Sequence, residues 1–377
     1  MAKKKKKLKV SSRSALRKKY VGSDTASNIV VAAEDMLWLP SRFIALNDLL
    51  GGGIPFGKIL EIFGEESSGK SLLAYDFAYC CQRLGGVVMW NDAEHAFTES
   101  WALQNGLDLD MVELYTNKSI ENLADWAMDM AISIRQELVN NEPILLVVDS
   151  IAAMDCLENL ESHHIDAKAE MGNRAKAFDK LFRTRNNIWE KLGVAVLAIN
   201  QLRSKIGASQ FQDPDTTPGG KATKFYASQR LGVYGGKQIK GKVRGQEDRV
   251  GRETSIRVKK NKVAPPKPTI KGAQVYFNPD YKEPIGFSKY YGLPDILLRH
   301  EVLTKAKGAS KYMMGDKMVA RGEPSLLKKL QTDDKFRSKM IRKSGVNTIS
   351  RTRNKMKKLG RDMFDVSNLT KEDLQKD

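Results

Sequence analysis

Cysteine is scarce: the 377 residues include only Cys80, Cys81 and Cys156, two of them adjacent and none in a CxxC pair. That excludes a disulfide framework and a zinc ribbon, and it suits a reducing compartment. Long apolar runs are missing as well. None approaches the roughly 18 residues that cross a bilayer, and the N-terminal lysines lead into no apolar signal core. No membrane partner is expected, and the cytoplasm is the expected location. Histidine numbers four in all. The pair His163 and His164 has no Cys or third His at ligand spacing, which favours loop histidines over metal ligands. At 41% hydrophobic residues, the chain can bury one large or two ordinary cores, so wholesale disorder is excluded.

Charge is present in excess and unevenly spread. The net charge is +18, yet residues 1–20 hold ten basic and no acidic residues, and residues 301–377 hold twenty basic against ten acidic. Within the near-neutral middle, residues 221–272 carry fifteen basic and three acidic residues. Cations confined to patches suit a polyanion crossing one surface, with salt-sensitive contacts. For Lys3–Lys7 a solubilising or localising tail is an equal reading.

Buried parallel strands read as short continuous apolar runs. Such runs are predicted at 58–63, 87–90, 144–149 and 194–199, separated by helical stretches ending near Leu84 and covering 120–139 and 175–191. Alternating strands and helices indicate an α/β fold with a mainly parallel sheet covered on both faces. After Arg230 the pattern changes to strand-like runs at 255–260 and 274–277. Beyond about Ile285, Gly, Lys and short helical patterns dominate.

The strongest chemical signal is Gly64-Glu65-Glu66-Ser67-Ser68-Gly69-Lys70-Ser71, a GxxxxGKS match between a strand and a helix. Glycines let successive backbone N–H groups wrap a phosphate, and the helix N-terminus adds positive potential. Lys70 reaches the β and γ phosphates, and the Ser71 hydroxyl suits a Mg²⁺ ion. Asp149 ends the apolar run Ile144–Val148 at the edge where ligands bind, and fits the acid that holds that Mg²⁺. After the strand at 87–90 comes Asp92-Ala93-Glu94-His95. A carboxylate there, Glu94 by position, can orient and deprotonate an attacking water. Between Gln201 and Gly220 lie Arg203, Lys205, the isolated Phe211 and the pair Gly219–Gly220, with almost no helix or strand signal. Long loops of this kind are usually functional, and cations, glycines and an apolar wedge suit single-stranded nucleic acid.

Six strings occur in one order: GEESSGKS, NDAEHAF, LLVVDSIAAM, AINQLRSKIG, TTPGGKATKFYASQRL and VKKNKVAPP. Together they resemble RecA-type recombinases, most like the bacterial and bacteriophage branch, densely from about Leu46 to Pro266 and more thinly to about Ile341. The resemblance implies a RecA-like P-loop ATPase core over 46–282. It also implies a basic N-terminal arm with a polymerisation element over 1–45, for which residues 15–20 and 29–33 are candidates, and a small α+β C-terminal domain over 283–345. Residues 346–377 are then expected to form a flexible basic tail.

The implied activity is an ATP-dependent filament on single-stranded DNA that pairs it with homologous double-stranded DNA and exchanges strands. A bacterial cell is the implied setting. ATP and Mg²⁺ are the implied cofactors. A single-strand-binding protein and a loading mediator are the implied accessory partners. Carried over residue by residue, Glu94 is the catalytic base, Trp101 stacks on the adenine and Gln201 senses the γ-phosphate. Lys260 and Lys262 reach into a neighbouring protomer's ATP site. The first DNA-binding loop runs from about Glu158 to Met171, with Met171 its wedge and Lys176 and Arg183 near the DNA path. The second loop contains Arg203, Lys205, Phe211, Gly219 and Gly220.

The chain departs from the family pattern at Glu65, commonly Pro, and at Ser71, commonly Thr. Both preserve the phosphate-loop chemistry. It also ends in a basic stretch where the bacterial proteins often carry acids, which implies extra affinity for duplex. A hexameric helicase or branch-migration motor of the same core is the alternative, disfavoured by VKKNK and the small C-terminal domain. A DNA-coating protein without turnover is disfavoured by Glu94 and Gln201.

Overall fold

The computed structural model describes residues 36–138, 141–162, 167–204, 215–265, 267, 269–305, 310–359 and 364. Lys3–Lys7 and the polymerisation candidates at 15–20 and 29–33 lie outside the described residues. From Leu37 onward the described chain forms one compact unit.

The first strands form a small antiparallel pair, β1 (Trp38–Leu39) with β2 (Ile54–Pro55). The main sheet is built from β3 (Ile59–Gly64), β4 (Val87–Asp92), β5 (Val112–Tyr115), β6 (Ile144–Asp149) and β7 (Val194–Gln201), followed in sequence by β8 (Arg203–Ser204) and β9 (Asp215–Thr216), which pair separately. It is completed by β10 (Gln229–Val243), β11 (Gln246–Asn261), β12 (Ile270–Tyr276) and β13 (Gly286–Phe287). The order is β13-β12-β11-β10-β3-β7-β6-β4-β5. Pairing is parallel from β10 through β5 and antiparallel from β10 out to β13.

The apolar runs are continuous because both faces of the sheet are buried. On β6, Leu145 and Val147 belong to one hydrophobic cluster while Ile144, Leu146 and Val148 belong to the other. Ala195, Leu197 and Ile199 alternate in the same way with Val194, Val196 and Ala198 on β7. The helix Lys70–Arg83 covers the first face through Leu73, Phe77 and Cys80. Helices Ile120–Glu137 and Ala167–Leu192 cover the second through Leu123, Ala127, Phe178 and Trp189. The first of these two is capped by Ser119, whose side chain accepts from Asn122 N, satisfying one of the donors that a helix start leaves open.

C-terminal to the sheet lie the hairpin β14 (Lys311–Met314) and β15 (Lys317–Arg321) and helices Leu293–Arg299, Glu323–Thr332 and Asp334–Ser344. Their Leu297, Leu326, Leu330 and Met340 share one cluster with Leu46 and Ile62 of the core. A charged tie adds to this: buried Asp48 meets Lys267 at 2.6 Å, His300 at 2.7 Å and the Arg299 guanidinium.

Of the flexible basic tail expected over 346–377, residues 349–359 instead form a helix, while 360–363 and 365–377 lie outside the described residues. Its Thr352 and Met356 are buried, and the Thr352 hydroxyl donates to Trp38 O at 3.0 Å. Two buried positions four apart make a single contact line on an otherwise charged helix, and net charge concealed it. Among the described residues no helix is long and apolar enough to cross a membrane.

Candidate functional site

The four motif residues with the clearest chemistry stand at the C-terminal ends of neighbouring parallel strands. Gly64 of β3 is level with Gln201 of β7, and Asp149 of β6 is level with Asp92 of β4. This is the edge where open α/β sheets bind ligands.

Gly64 closes β3 so tightly against β10 that an added Cβ would lie 2.0 Å from Val233 O. The loop then turns through Gly69, whose φ of +101° is a left-handed conformation suited to glycine. Glu65, Glu66 and Ser67 are exposed while Ser68 is buried. Lys70, at the helix start, is buried and donates to Gly64 O at 3.1 Å and Glu65 O at 2.6 Å. Burial lowers its pKa, and the nearby acids Asp149, Glu94 and Glu66 act in the opposite sense. The Ser68 hydroxyl is buried without a hydrogen-bond partner, a donor inside the loop that a phosphate oxygen would satisfy.

Ser71 Oγ donates to Asp149 Oδ2 across 3.3 Å. Burial first, then Glu94 and Asp92, pushes the Asp149 carboxyl up to about 7, the behaviour of a buried acid beside other acids. Hard oxygen donors such as Ser71 and Asp149 fit Mg²⁺, which takes few protein ligands beside phosphate and water oxygens. No cluster of three or more His, Cys, Asp or Glu that could hold a metal occurs among the described residues.

Of the two acids at the end of β4, Asp92 and Glu94, one is held by the loop and the other faces out. Asp92 is buried and accepts from Ala96 N at 3.0 Å and Phe97 N at 2.9 Å, holding the loop in shape. Glu94 is exposed. Its Oε1 accepts from the Ser150 hydroxyl and from Gln201 Nε2 at 3.4 Å. Below Gln201, buried Asn200 joins Glu61 Oε1 and Pro218 O, both at 3.0 Å, and Arg230 pairs with Glu61. Motif reading missed this network, although an Asn, a Glu and an Arg within strand runs were its visible sign.

A cavity of about 420 Å³ adjoins the phosphate loop, lined by Lys70, Ser71 and Trp101 and, from the antiparallel part of the sheet, by Arg249, Arg252 and Phe277. Trp101 therefore lines the same cavity as the phosphate loop. The other three were missed because only strand pairing brings them there, Arg249 and Arg252 through β10–β11 and Phe277, just past β12, through β11–β12.

Lys260 and Lys262 are not in this cavity. Lys260 Nζ donates to Lys224 O at 2.7 Å and Phe225 O at 2.8 Å, and Lys262 Nζ lies 5.6 Å from the Phe225 ring centre. Phe225 itself is 67% exposed. Burial, then Lys262 and Arg230, lowers Lys260 to about 8.

The nucleic-acid candidates divide. Met171, 72% exposed, lies within helix Ala167–Leu192, so the first loop is shorter than the expected span from Glu158 to Met171. Residues 157–161 are helical as well. Both departures reflect helix-forming residues that continue into the flanks. Lys176 and Arg183 are exposed on the same long helix. Arg203 is exposed at the start of β8, which pairs with β9 across the root of the second loop. Gly219 and Gly220 have positive φ, and a Cβ on Gly220 would stand 3.1 Å from Ala175 Cβ, so this end of the loop lies close to the long helix. Lys205, Phe211, His163 and His164 lie outside the described residues.

Residues 18–279 match the family model of the RecA N-terminal domain. The chain is 35% identical over 309 residues to Protein RecA of Tropheryma whipplei (strain Twist), covering 80% of this chain and 65% of that protein. It is 35% identical to Protein RecA of Aquifex aeolicus (strain VF5) over 78% of this chain and 79% of the relative. With Protein RecA of Rubrobacter xylanophilus identity is 33%, over 82% and 84%.

Proposed function

Because this chain belongs to the RecA family, we propose that it is an ATP-dependent recombinase of DNA recombination and repair that uses the strand-end constellation as its ATPase centre. The observation that carries the reading is the continuous contact set Ser71–Asp149 and Ser150–Glu94–Gln201 beside Lys70. Lys70 and the loop N–H groups hold the β and γ phosphates. Ser71 and Asp149 hold Mg²⁺, which supplies charge neutralisation to the phosphates when bound. Glu94 orients and deprotonates the attacking water, and Gln201 reads the γ-phosphate at the root of the second DNA loop.

Lys260 and Lys262, set beside exposed Phe225, serve the pocket of the next protomer in a filament, supplying in trans the charge an arginine finger supplies elsewhere. The DNA path follows Met171, Lys176, Arg183, Arg203 and the loop through Lys205 and Phe211 to Gly219 and Gly220. Single-stranded DNA occupies it first and homologous duplex follows, with a single-strand-binding protein and a loading mediator as accessory partners in a bacterial cytoplasm. Arg351, Lys357 and Lys358 on the C-terminal helix add a salt-sensitive attraction for duplex. Nothing among the described residues or the relatives named above favours the helicase reading.

The test mixes protein, Mg²⁺ and ATP with circular single strands and homologous linear duplex. Joint molecules from wild type, and none from Lys70→Ala or Lys260→Ala, support the reading. Unwinding of a forked duplex without homology would overturn it in favour of a motor.

A further inference from the structure

The antiparallel half of the sheet supplies two arginines to the cavity beside the phosphate loop, and no motif assigns them. Residues three apart on a regular strand face opposite sides, yet Arg249 and Arg252 line the same cavity. A bulge explains this. Lys240 pairs with Arg249 and Ile239 with Gly251, leaving Val250 as an extra residue on β11. That extra residue turns Arg249 to the face Arg252 already occupies.

Arg252 reaches the crown of the phosphate loop because Gly235, on the neighbouring strand β10, has no side chain: a Cβ there would meet the guanidinium at 2.3 Å. Arg252 Nη1 donates to Ser67 O at 2.7 Å, and Thr254 Oγ1, two residues on, donates to Ser68 O at 3.3 Å. A trans peptide points its N–H opposite to its carbonyl. Holding these two carbonyls toward β11 therefore sets the directions of the Ser68 and Gly69 N–H groups, two of the loop's donors. The Arg252 Nε is buried with no hydrogen-bond partner.

Arg249 stacks its guanidinium 5.2 Å from the centre of the Phe277 ring. A stacked guanidinium keeps its N–H edge available for oxyanions. Among the described residues lining the cavity, Lys70, Arg249 and Arg252 are cations and none is a carboxylate, a composition suited to a polyanionic ligand.

We propose that Arg249 binds the nucleoside triphosphate directly as a second cation of the protomer's own pocket, and that Arg252 is a positioning residue that orients the phosphate-loop donors. This rests on the nucleotide-site reading of the phosphate loop and extends it to the β10–β11 hairpin.

The experiment titrates full-length protein with a fluorescent ATP analogue and Mg²⁺ at several salt concentrations, without DNA, and checks each variant's fold by circular dichroism. Arg249→Gln is expected to weaken binding about tenfold and to flatten its salt dependence, as removing one charge-assisted hydrogen bond does. Arg249→Lys keeps the charge and is expected to recover most of the affinity, which a purely structural stacking role would not allow. Arg252→Gln is expected to weaken binding and lower kcat together, with partial rescue by Arg252→Lys. Wild-type affinity in folded Arg249→Gln at every salt overturns the Arg249 assignment. Unchanged kcat and affinity in Arg252→Gln overturns the other. If wild type itself binds no nucleotide, or Lys70→Ala binds as well as wild type, the underlying site reading fails and both arginine assignments fall with it.

Discussion

Gln201 Nε2 donates to Glu94 Oε1 across 3.4 Å, so the residue at the root of the proposed second DNA loop touches the carboxylate beside the phosphate loop. Gln201 ends β7 two residues before Arg203. A change in what Gln201 touches therefore reaches the loop through one intervening residue. Gln201→Ala is expected to keep nucleotide affinity within about twofold while DNA-stimulated hydrolysis falls by about two orders of magnitude. Steady-state hydrolysis with and without single strands reads this; full stimulation in the variant would remove Gln201 from the coupling.

Glu94 is exposed and already held by Ser150 and Gln201, a geometry that positions a base. Glu94→Gln preserves the shape and is expected to slow hydrolysis about 10²- to 10⁴-fold. Filaments should still form on single strands with ATP, and should persist longer. Electron microscopy beside a hydrolysis assay checks both. A variant that hydrolyses normally would assign the base elsewhere.

Lys260 supplies a pH test with a definite sign. Its folded value of about 8 lies below the ordinary lysine value of 10.5, so the folded chain binds fewer protons between those limits and stability rises with pH across them. Below about 8 both states are charged and the cost of the partly buried ammonium is fully present. The charge offered in trans is consequently lost as pH rises above about 8. DNA-dependent hydrolysis is expected to decline there while nucleotide binding by lone protomers does not. Lys260→Arg stays charged and should abolish the decline; an unchanged pH profile would contradict the trans role.

The C-terminal helix allows its packing and its charge to be tested separately. Met356→Ala is expected to cost about 2–5 kcal/mol, read from urea unfolding, because Met356 is 4% exposed within the core cluster. Deleting residues 346–377 would therefore unsettle the fold and confound any binding measurement. Lys357→Ala with Lys358→Ala should leave stability unchanged and lower the salt slope of duplex binding by roughly 0.9 for each phosphate no longer neutralised. Identical slopes would leave this helix a structural element only.

The core was readable because a strand buried on both faces has no polar alternation to obscure it: the strand Ile144–Asp149 coincides with the predicted run. The phosphate loop was readable because its chemistry is local. Arg249, Arg252 and Phe277 were not, since their proximity to Lys70 depends on β10 pairing with a strand about 170 residues earlier, on β11 and β12 pairing outward from it, and on a one-residue bulge. The helix Ile349–Leu359 was hidden for a different reason. Two buried side chains, Thr352 and Met356, hold down a segment whose other positions are mainly charged. Lys260 and Lys262 were found by resemblance alone, and their distance from the protomer's own cavity acquires meaning only across a filament interface.

That interface is tested most directly by mixing two inactive proteins. Lys70→Ala lacks a working pocket but retains Lys260; Lys260→Ala retains the pocket but lacks the donor. Each alone should hydrolyse ATP on single-stranded DNA at background rates. A mixture is expected to recover a measurable fraction of wild-type hydrolysis, because some junctions join an intact pocket to an intact lysine. No recovery in mixtures shown to co-assemble on one strand, or full activity of Lys260→Ala alone, would contradict the shared site.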